Sequence, residues 1–514
     1  MITQQLLQNL FSFQSLIGLL VGVIGGMFIG ALPGLGATMG IALLIPMTFS
    51  MEPAASLIML ISIYTSAIYG GSITAILLHT PGTPASAATA MDGYELTKKG
   101  KGLQAIGVST VASMFGGTLS AIALLLIAPP LARLSLEFNA PEYFLLAVLG
   151  LTIIGSLAGD NMLKGIISGI LGLCVGFIGY DISVGVGRFT YGVSALQSGI
   201  QLVPALIGLF SLSQVMIQAE NMAAIRRGEK IEPVQNLSGR VVPPLKDVLG
   251  QTVNIIRSSI IGIIVGILPG AGGDIGGWLG YNEAKRFSKH KEKFGKGSLE
   301  AIWASESANN AVTGGSLIPL MTLGIPGSSA AAVLLGGLLI HGLTPGHTLF
   351  TEKADITYAI ILGFLISNIL MGIVGLLIAK HVAKVASVST AIIAPIIVVL
   401  SVVGSYAINL SYVDIIVMGV FGIIGYFMRK TGFATAPMVL GIILGPMAEL
   451  NYKRAILMAK SDNILVYYLS RPICLILIFF IVISLLAPIY MKKLEKKIYA
   501  STPVGASEDE NSDD

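Results

Sequence analysis

Four breaks rich in glycine and proline carry the groups with most chemistry to offer. GALPGLGATMG at residues 30–40 returns as GILPGAGGDIGG at 266–277, and GGSITAILLHTPGTPASAA at 70–88 returns as GGSLIPLMTLGIPGSSAAA at 314–332, with one residue inserted. All four interrupt apolar stretches. In hydrocarbon a broken backbone must be buried in protein or line a cavity, because no water is there to satisfy it. Such a break exposes N–H groups and the positive end of a helix dipole, which attract a carboxylate, while unwound carbonyls and hydroxyls can hold a cation. The anion contacts expected on this ground are Pro33, Gly34, Gly36 and Thr38 facing Pro269, Gly270 and Gly272, and Thr80, Pro81, Gly82, Thr83 and Ser86 facing Pro326, Gly327, Ser328 and Ser329. Ordinary proline kinks and small-residue helix contacts are the alternative. The shared register of all four breaks argues against it.

The stretch SESANNAVTGG at 305–315, read as a helix, puts Glu306, Asn309 and Asn310 on one face at i, i+3 and i+4. Its counterpart in the repeat, SIYTSAIYGG at 62–71, offers Ser62, Thr65 and Ser66. A carboxylate near the bilayer midplane is costly unless it faces a polar cavity. Glu306 with Asp274 therefore suits a sodium ion or a proton better than an anionic substrate; the alternative sets Glu306 among headgroups at a helix end. His79 reads as a structural histidine before a proton sensor, and the HGLTPGH spacing of His341 and His347 is a poor metal signal. Asp160, Asp181 and Asp414 read as loop or interface residues, and Cys174 and Cys474, each inside an apolar run, as structural. Phosphate-binding loop, metalloprotease and paired-cysteine motifs are missing, so neither a cofactor nor ATP hydrolysis on this chain is expected.

The elements that must position these groups are membrane helices. Of 514 residues 54% are hydrophobic and 11% charged, with a mean hydropathy of +0.84, a balance unable to clothe a soluble surface. Stretches such as 16–32, 103–127, 358–379 and 464–490 are apolar over the length that spans a bilayer. The net charge of +4 sits in loops, which excludes a nucleic-acid partner and reports topology instead. In the first copy Lys98, Lys99 and Lys101 follow the TPG break, whereas in the second Arg226, Arg227, Lys230, Arg240 and Lys246 precede the LPG break and Lys285, Arg286, Lys289, Lys291, Lys293 and Lys296 follow it. Basic loops face the cytoplasm, so the two LPG segments read as re-entrant hairpins entering from opposite sides.

The fold expected is an all-α polytopic membrane protein of two inverted repeats with re-entrant hairpins and broken helices, crossing about 11 to 12 times. The first repeat covers 1–218, a basic linker 219–250, the second repeat 251–450, a final transmembrane segment 451–500 and an acidic disordered tail 501–514. Further crossings are expected near 141–158, 161–179, 196–216, 388–404, 413–428 and 431–448. Lys453, Arg454 and Lys460 conflict with this topology by falling outside.

The motifs ALPGLGATMGIALLIP, YGGSITAILLHTPGTPASAATAMDGYELTKKGKG, ILPGAGG, ESANNAVTGGSLIPLMTLGIPGSSAAAVLLGGLLIHGLTPG and LGIILGP together resemble the large membrane subunit, TctA type, of the bacterial tripartite tricarboxylate transporters, from about residue 18 to 488. The resemblance implies import of citrate-like tricarboxylates or related carboxylates across the cytoplasmic membrane, driven by a sodium or proton gradient. It also implies two partners, a small membrane subunit and an extracytoplasmic solute-binding protein, and it leaves a homodimer open. A channel for small anions and a polytopic membrane enzyme are the competing classes; the second lacks a convergent set of His, Asp or Cys.

Overall fold

The computed structural model describes residues 3–32, 35–79, 82–134, 137–152, 162–181, 186–225, 240–268, 272–385, 390–459 and 463–483. Two runs of five helices build its core. The first is α1 (Phe13–Ala31), α2 (Ala37–Leu44), α3 (Pro53–Leu78), α4 (Ala87–Lys98) and α5 (Gly102–Leu134); the second is α6 (Thr252–Ile267), α7 (Gly272–Phe287), α8 (Leu299–Leu323), α9 (Ser329–Ile340) and α10 (Ala354–Val385). Pro53 opens α3 in the first turn, where its missing N–H costs nothing. The hydroxyls of Ser298 and Ser328 cap α8 and α9, accepting from the N–H of Ala301 at 3.3 Å and of Ala331 at 3.2 Å. α3 and α8 end alike, each in a left-handed residue, His79 at φ 55° and Gly324 at φ 72°.

Those two helices form the axis of the molecule. Every residue of α3 from Ala54 to Leu77 is buried, and so is α8 from Ala301 to Thr322. The long helix closing each run packs on the axis helix of the other run, α5 on α8 and α10 on α3. One apolar cluster, with Ile63, Leu206, Leu317, Leu334 and Phe364 among its members, runs through both halves.

Glycines let α1 and α6 lie backbone to backbone on the axis helices, and they fix how the two runs correspond. A Cβ on Gly26 would meet the Ile63 carbonyl at 2.8 Å, and one on Gly30 the Ala67 carbonyl at 2.1 Å; the matching contacts are Gly262 on Ala308 at 2.2 Å and Gly266 on Val312 at 2.6 Å. Gly70 lies on Met27 and Gly30 as Gly315 lies on Ile263 and Gly266. Gly82 sits on Gly30 and Gly71 as Gly327 sits on Gly266 and Ser316. Gly70 therefore matches Gly315, Gly71 matches Ser316 and His79 matches Gly324, with no insertion before the second break. This corrects the alignment of the two GGS triplets by one residue: packing, not letter identity, sets the register. The counterparts of Glu306, Asn309 and Asn310 become Ile61, Tyr64 and Thr65.

The runs also exchange contacts. Lys99, just after α4, donates to the carbonyl of Lys296 ahead of α8, and His341, just after α9, pairs with Thr48 ahead of α3 at 2.9 Å. Buried Asp92 on α4 accepts from the N–H groups of Gly295 (3.0 Å), Gly297 (2.8 Å) and Ser298 (2.6 Å) and from the Tyr281 hydroxyl (2.9 Å). Lys98, Lys99 and Lys101 thus share a face with the basic loop 289–296. At that face Lys98 bonds Glu95 at 2.7 Å, a hydrogen bond that holds the Glu95 carboxylate below its ordinary range.

Around the core lie the helices Ala140–Thr152, Met162–Gly176, Thr390–Asn409, Tyr412–Lys430 and Thr435–Ala459, and a stretch from Leu202 that passes through a π turn at Ile207–Leu212 into Ser213–Ile225. An antiparallel strand pair, Gly179–Asp181 with Val186–Arg188, is the β-structure among the described residues. Six described helices are long and apolar enough to cross a membrane: Phe13–Ala31, Pro53–Leu78, Gly102–Leu134, Leu202–Glu220, Ala354–Ala379 and Tyr412–Lys430. The expected final span at 464–490 is interrupted, Ile464–Leu469 giving way to a second helix at Pro472, whose ring cannot continue the hydrogen-bond ladder. Lys453 and Arg454 of the basic patch that conflicted with the topology belong to the helix Thr435–Ala459, and Lys460 lies outside the described residues. Lys453 is committed to Asp181 at 2.6 Å and Glu449 at 2.8 Å, and Arg188 adds a bond to Glu449 at 2.6 Å, so Lys453 is a poor marker of sidedness. Residues 226–239 of the linker expected at 219–250, residues 484–500 of the expected final segment and the tail at 501–514 lie outside the described residues.

Candidate functional site: the two breaks and the Glu306 cage

The axis helices bring the expected groups to the middle of the molecule. After α3, the chain turns back at Gly82, whose N–H donates to the Gly71 carbonyl at 3.1 Å. A 3₁₀ turn at Pro84–Ser86 leads into α4, and the Ser86 hydroxyl donates to the carbonyls of Gly71 (3.1 Å) and Thr83 (2.8 Å). Thr83 and Ser86 are buried, and Gly36 at the head of α2 lies near the Thr83 methyl. Thr38, in the first turn of α2, is half-buried. The expected contacts Pro33, Gly34, Thr80, Pro81, Pro269 and Gly270 lie outside the described residues, as does Asp160. Gly272 and Asp274 open α7.

The second break is closed from across the molecule. Pro326, Gly327 and Ser328 are buried, with Ser329 half-buried, and the phenol of Tyr64 on α3 bonds the Ser328 hydroxyl at 2.8 Å and the Ser316 hydroxyl at 3.0 Å. Sequence reasoning did not single out Tyr64, since a tyrosine in an apolar helix reads as packing.

Glu306 sits in a cage rather than beside the two asparagines. Its carboxylate is fully buried and accepts four hydroxyls: Ser72 at 2.7 Å and Thr89 on one oxygen, Ser109 at 3.1 Å and Ser113 at 2.9 Å on the other. All four come from the first run, three of its helices reaching across to a residue of the second. Four donors replace much of the water an ionised carboxylate loses on burial. No Lys, Arg or His pairs with it among the described residues. A signal for the cage was present in the sequence: Ser109 and Ser113 stand one turn apart on a mainly apolar helix, a polar stripe that needs a partner.

Asn309 and Asn310 are buried without adequate partners. Neither amide atom of Asn309 has a hydrogen bond, and Asn310 offers only its N–H₂ to the Met371 sulfur at 3.9 Å, leaving its oxygen bare. Each such orphan costs roughly 1–3 kcal/mol. Thr65 donates to Asn368 on α10 at 2.6 Å, while the Ser66 hydroxyl is unpartnered. No group of three His, Cys, Asp or Glu side chains able to hold a metal occurs among the described residues.

The remaining ionisable residues stand apart from this site. His79 is exposed and stacks on Tyr94, ring centroids 4.8 Å apart, and His347 is half-buried. Asp181 belongs to the Lys453 pair and Asp414 accepts from Asn409 at 2.8 Å. Cys174 and Cys474 are free thiols; buried Cys474 donates to Glu142 at 3.2 Å, and Arg471 pairs with the same carboxylate.

Apolar helices of spanning length, helices beside the breaks that pack across the two runs and a buried carboxylate caged by hydroxyls define a polytopic membrane protein with an oxygen-rich interior. Residues 16–440 match the Tripartite tricarboxylate transporter TctA family. The chain belongs to that family, as the large membrane subunit of a tripartite tricarboxylate transporter. It is 38% identical over 453 residues to an uncharacterized 52.8 kDa protein of the TAR-I ttuC' 3' region of Agrobacterium vitis, an alignment covering 88% of this chain and 89% of that one. A second protein of that organism, from the TAR-II ttuC' 3' region, is 34% identical over 212 residues, 41% of this chain and 87% of its own. No solved structure matches.

Proposed function

We propose that this chain is the permease of a secondary active, cation-coupled importer of citrate-like tricarboxylates or related small carboxylates in the bacterial cytoplasmic membrane, and that it catalyses no reaction. A solute-binding protein delivers the substrate and a small membrane subunit completes the assembly; sodium or protons drive uptake. The observation that carries the coupling is the Glu306 cage, a sealed carboxylate with four hydroxyl donors and no cationic partner among the described residues. Such a group is poised to take up and release a cation or proton. Inverted repeats with re-entrant hairpins are supported by the reciprocal exchange of contacts between the two runs, which a two-fold axis relating them requires. The buried Thr83 hydroxyl and the α2 and α4 N-termini supply anion contacts of the kind a carboxylate uses, and Ser86 would join them on releasing the Gly71 and Thr83 carbonyls.

A passive pore is the weaker reading, because Tyr64 plugs one of the two breaks that a continuous filter would need open. The test is uptake of radiolabelled citrate into proteoliposomes holding the full assembly, with sodium or proton gradients imposed. Gradient-dependent accumulation is expected; equilibration that ignores both gradients would leave the pore.

A further inference from the structure

In the basic patch that disturbed the topology, Lys453 has its partners and Arg454 does not. Lys453 and Arg188 lie against Asp181 and Glu449, two cations with two carboxylates, and Arg471 is held by Glu142. Arg454 is exposed and makes no hydrogen bond or ion pair among the described residues. These neighbouring groups therefore balance one another and leave Arg454 as a single uncompensated positive charge.

Arg454 also lines an open cavity of about 430 Å³ between the start of the helix Ala140–Thr152 and the last turns of Thr435–Ala459, together with Asn139, Tyr143, Asn451, Leu457 and Met458. Asn451, Arg454 and Met458, at i, i+3 and i+7, share one face of their helix. The nearby Glu142 is buried and already committed, accepting from the Asn139 N–H at 2.9 Å, the Cys474 thiol at 3.2 Å and Arg471. Around the charge the exposed side chains are apolar: Ile456 and Leu457 on the same helix, Leu465 and Val466 on the next. In a membrane protein an arginine in such a setting sits at headgroup depth, its stem among acyl chains and its guanidinium at the interface.

We propose that this cavity binds the phosphate group of an anionic membrane phospholipid. The planar guanidinium of Arg454 pairs with two phosphate oxygens through parallel N–H groups, the amides of Asn139 and Asn451 offer polar atoms to the rest of the headgroup, and the apolar residues beside the cavity carry the acyl chains. A phosphatidylglycerol headgroup, with one net negative charge, matches the single charge left over, whereas a zwitterionic one brings an ammonium that Arg454 repels. A free phosphate offers the same oxygens without using the apolar surround.

The test is thermal stabilisation of the purified, delipidated full chain in detergent by added phosphatidylglycerol, against phosphatidylcholine at equal total lipid and sodium phosphate at equal ionic strength. Wild type is expected to melt higher with phosphatidylglycerol than with phosphatidylcholine and to ignore phosphate. Arg454→Gln should melt as wild type without lipid, since no bond of the chain is lost, and should need about tenfold more phosphatidylglycerol for half the effect. Lys289→Gln, which removes a charge from the basic loop ahead of α8, should respond as wild type. A wild type indifferent to phosphatidylglycerol or an unchanged response in Arg454→Gln would overturn the site. An equal loss in Lys289→Gln would also overturn it, by reducing the effect to general attraction between anionic lipid and basic protein. Stabilisation of wild type by sodium phosphate, lost in Arg454→Gln, would overturn the lipid as occupant in favour of a soluble anion.

Discussion

At the scale of single residues, Glu306 separates a structural carboxylate from a working one. Its four hydroxyl donors mean that Glu306→Ala strands four buried hydroxyls, and a loss of about 2–5 kcal/mol in stability is expected, measured as a lower melting temperature in detergent. Glu306→Gln keeps the shape, removes the charge and turns one acceptor oxygen into a donor, so two of the four hydroxyls must rotate to accept from it. It should fold to wild-type levels and shift the sodium or proton dependence of uptake; identical ion dependence would make the cage a structural device. The residue also shows where sequence runs out. Glu306 was legible as an intramembrane acid, but its ligands Ser72 and Thr89 are distant in sequence and sit in helices whose hydroxyls otherwise read as packing. The asparagines were read on one helix face with Glu306, whereas the hydrogen bonds to its carboxylate come from hydroxyls of the first run.

At the scale of elements, the four breaks and the helices around them followed from glycine, proline and apolar runs, because backbone satisfaction in hydrocarbon leaves few alternatives. The register did not. Two GGS triplets invite an alignment that the backbone contacts of Gly30, Gly70, Gly82 and their counterparts reject by one residue, and only packing decides. Gly30→Ala places a methyl 2.1 Å from the Ala67 carbonyl, so α1 must move off α3. The expected result is little monodisperse protein by size-exclusion chromatography, with Gly25→Ala, whose methyl meets nothing within 4 Å, behaving as wild type. Equal yields for both would deny that α1 is held by backbone contact. The break in the final span falls at Ser470, Arg471 and Pro472, a short polar step that the long apolar run around it outweighed in the hydropathy reading.

At the scale of the whole molecule, the two runs are interlocked. α5 and α10 each pack on the other run's axis helix, Glu306 is held by the first run, and Asp92 ties α4 to the loop before α8 through three N–H groups and a phenol. Asp92→Asn keeps the size but weakens those bonds and should speed tryptic cleavage at Lys289, Lys291, Lys293 and Lys296. A rate equal to wild type would mean the loop is held by other contacts. The carboxylate selected is set by geometry that composition does not encode, since hydroxyls and N-terminal N–H groups serve many acids alike.

Coupled transport is tested most directly by the steady-state ratio of internal to external citrate in proteoliposomes containing the full assembly, with the membrane potential clamped at zero. On logarithmic axes, a secondary active importer gives a ratio that rises with the imposed sodium or proton gradient, with a slope equal to the number of ions moved per citrate. A ratio that stays at unity across both gradients would contradict cation-coupled import.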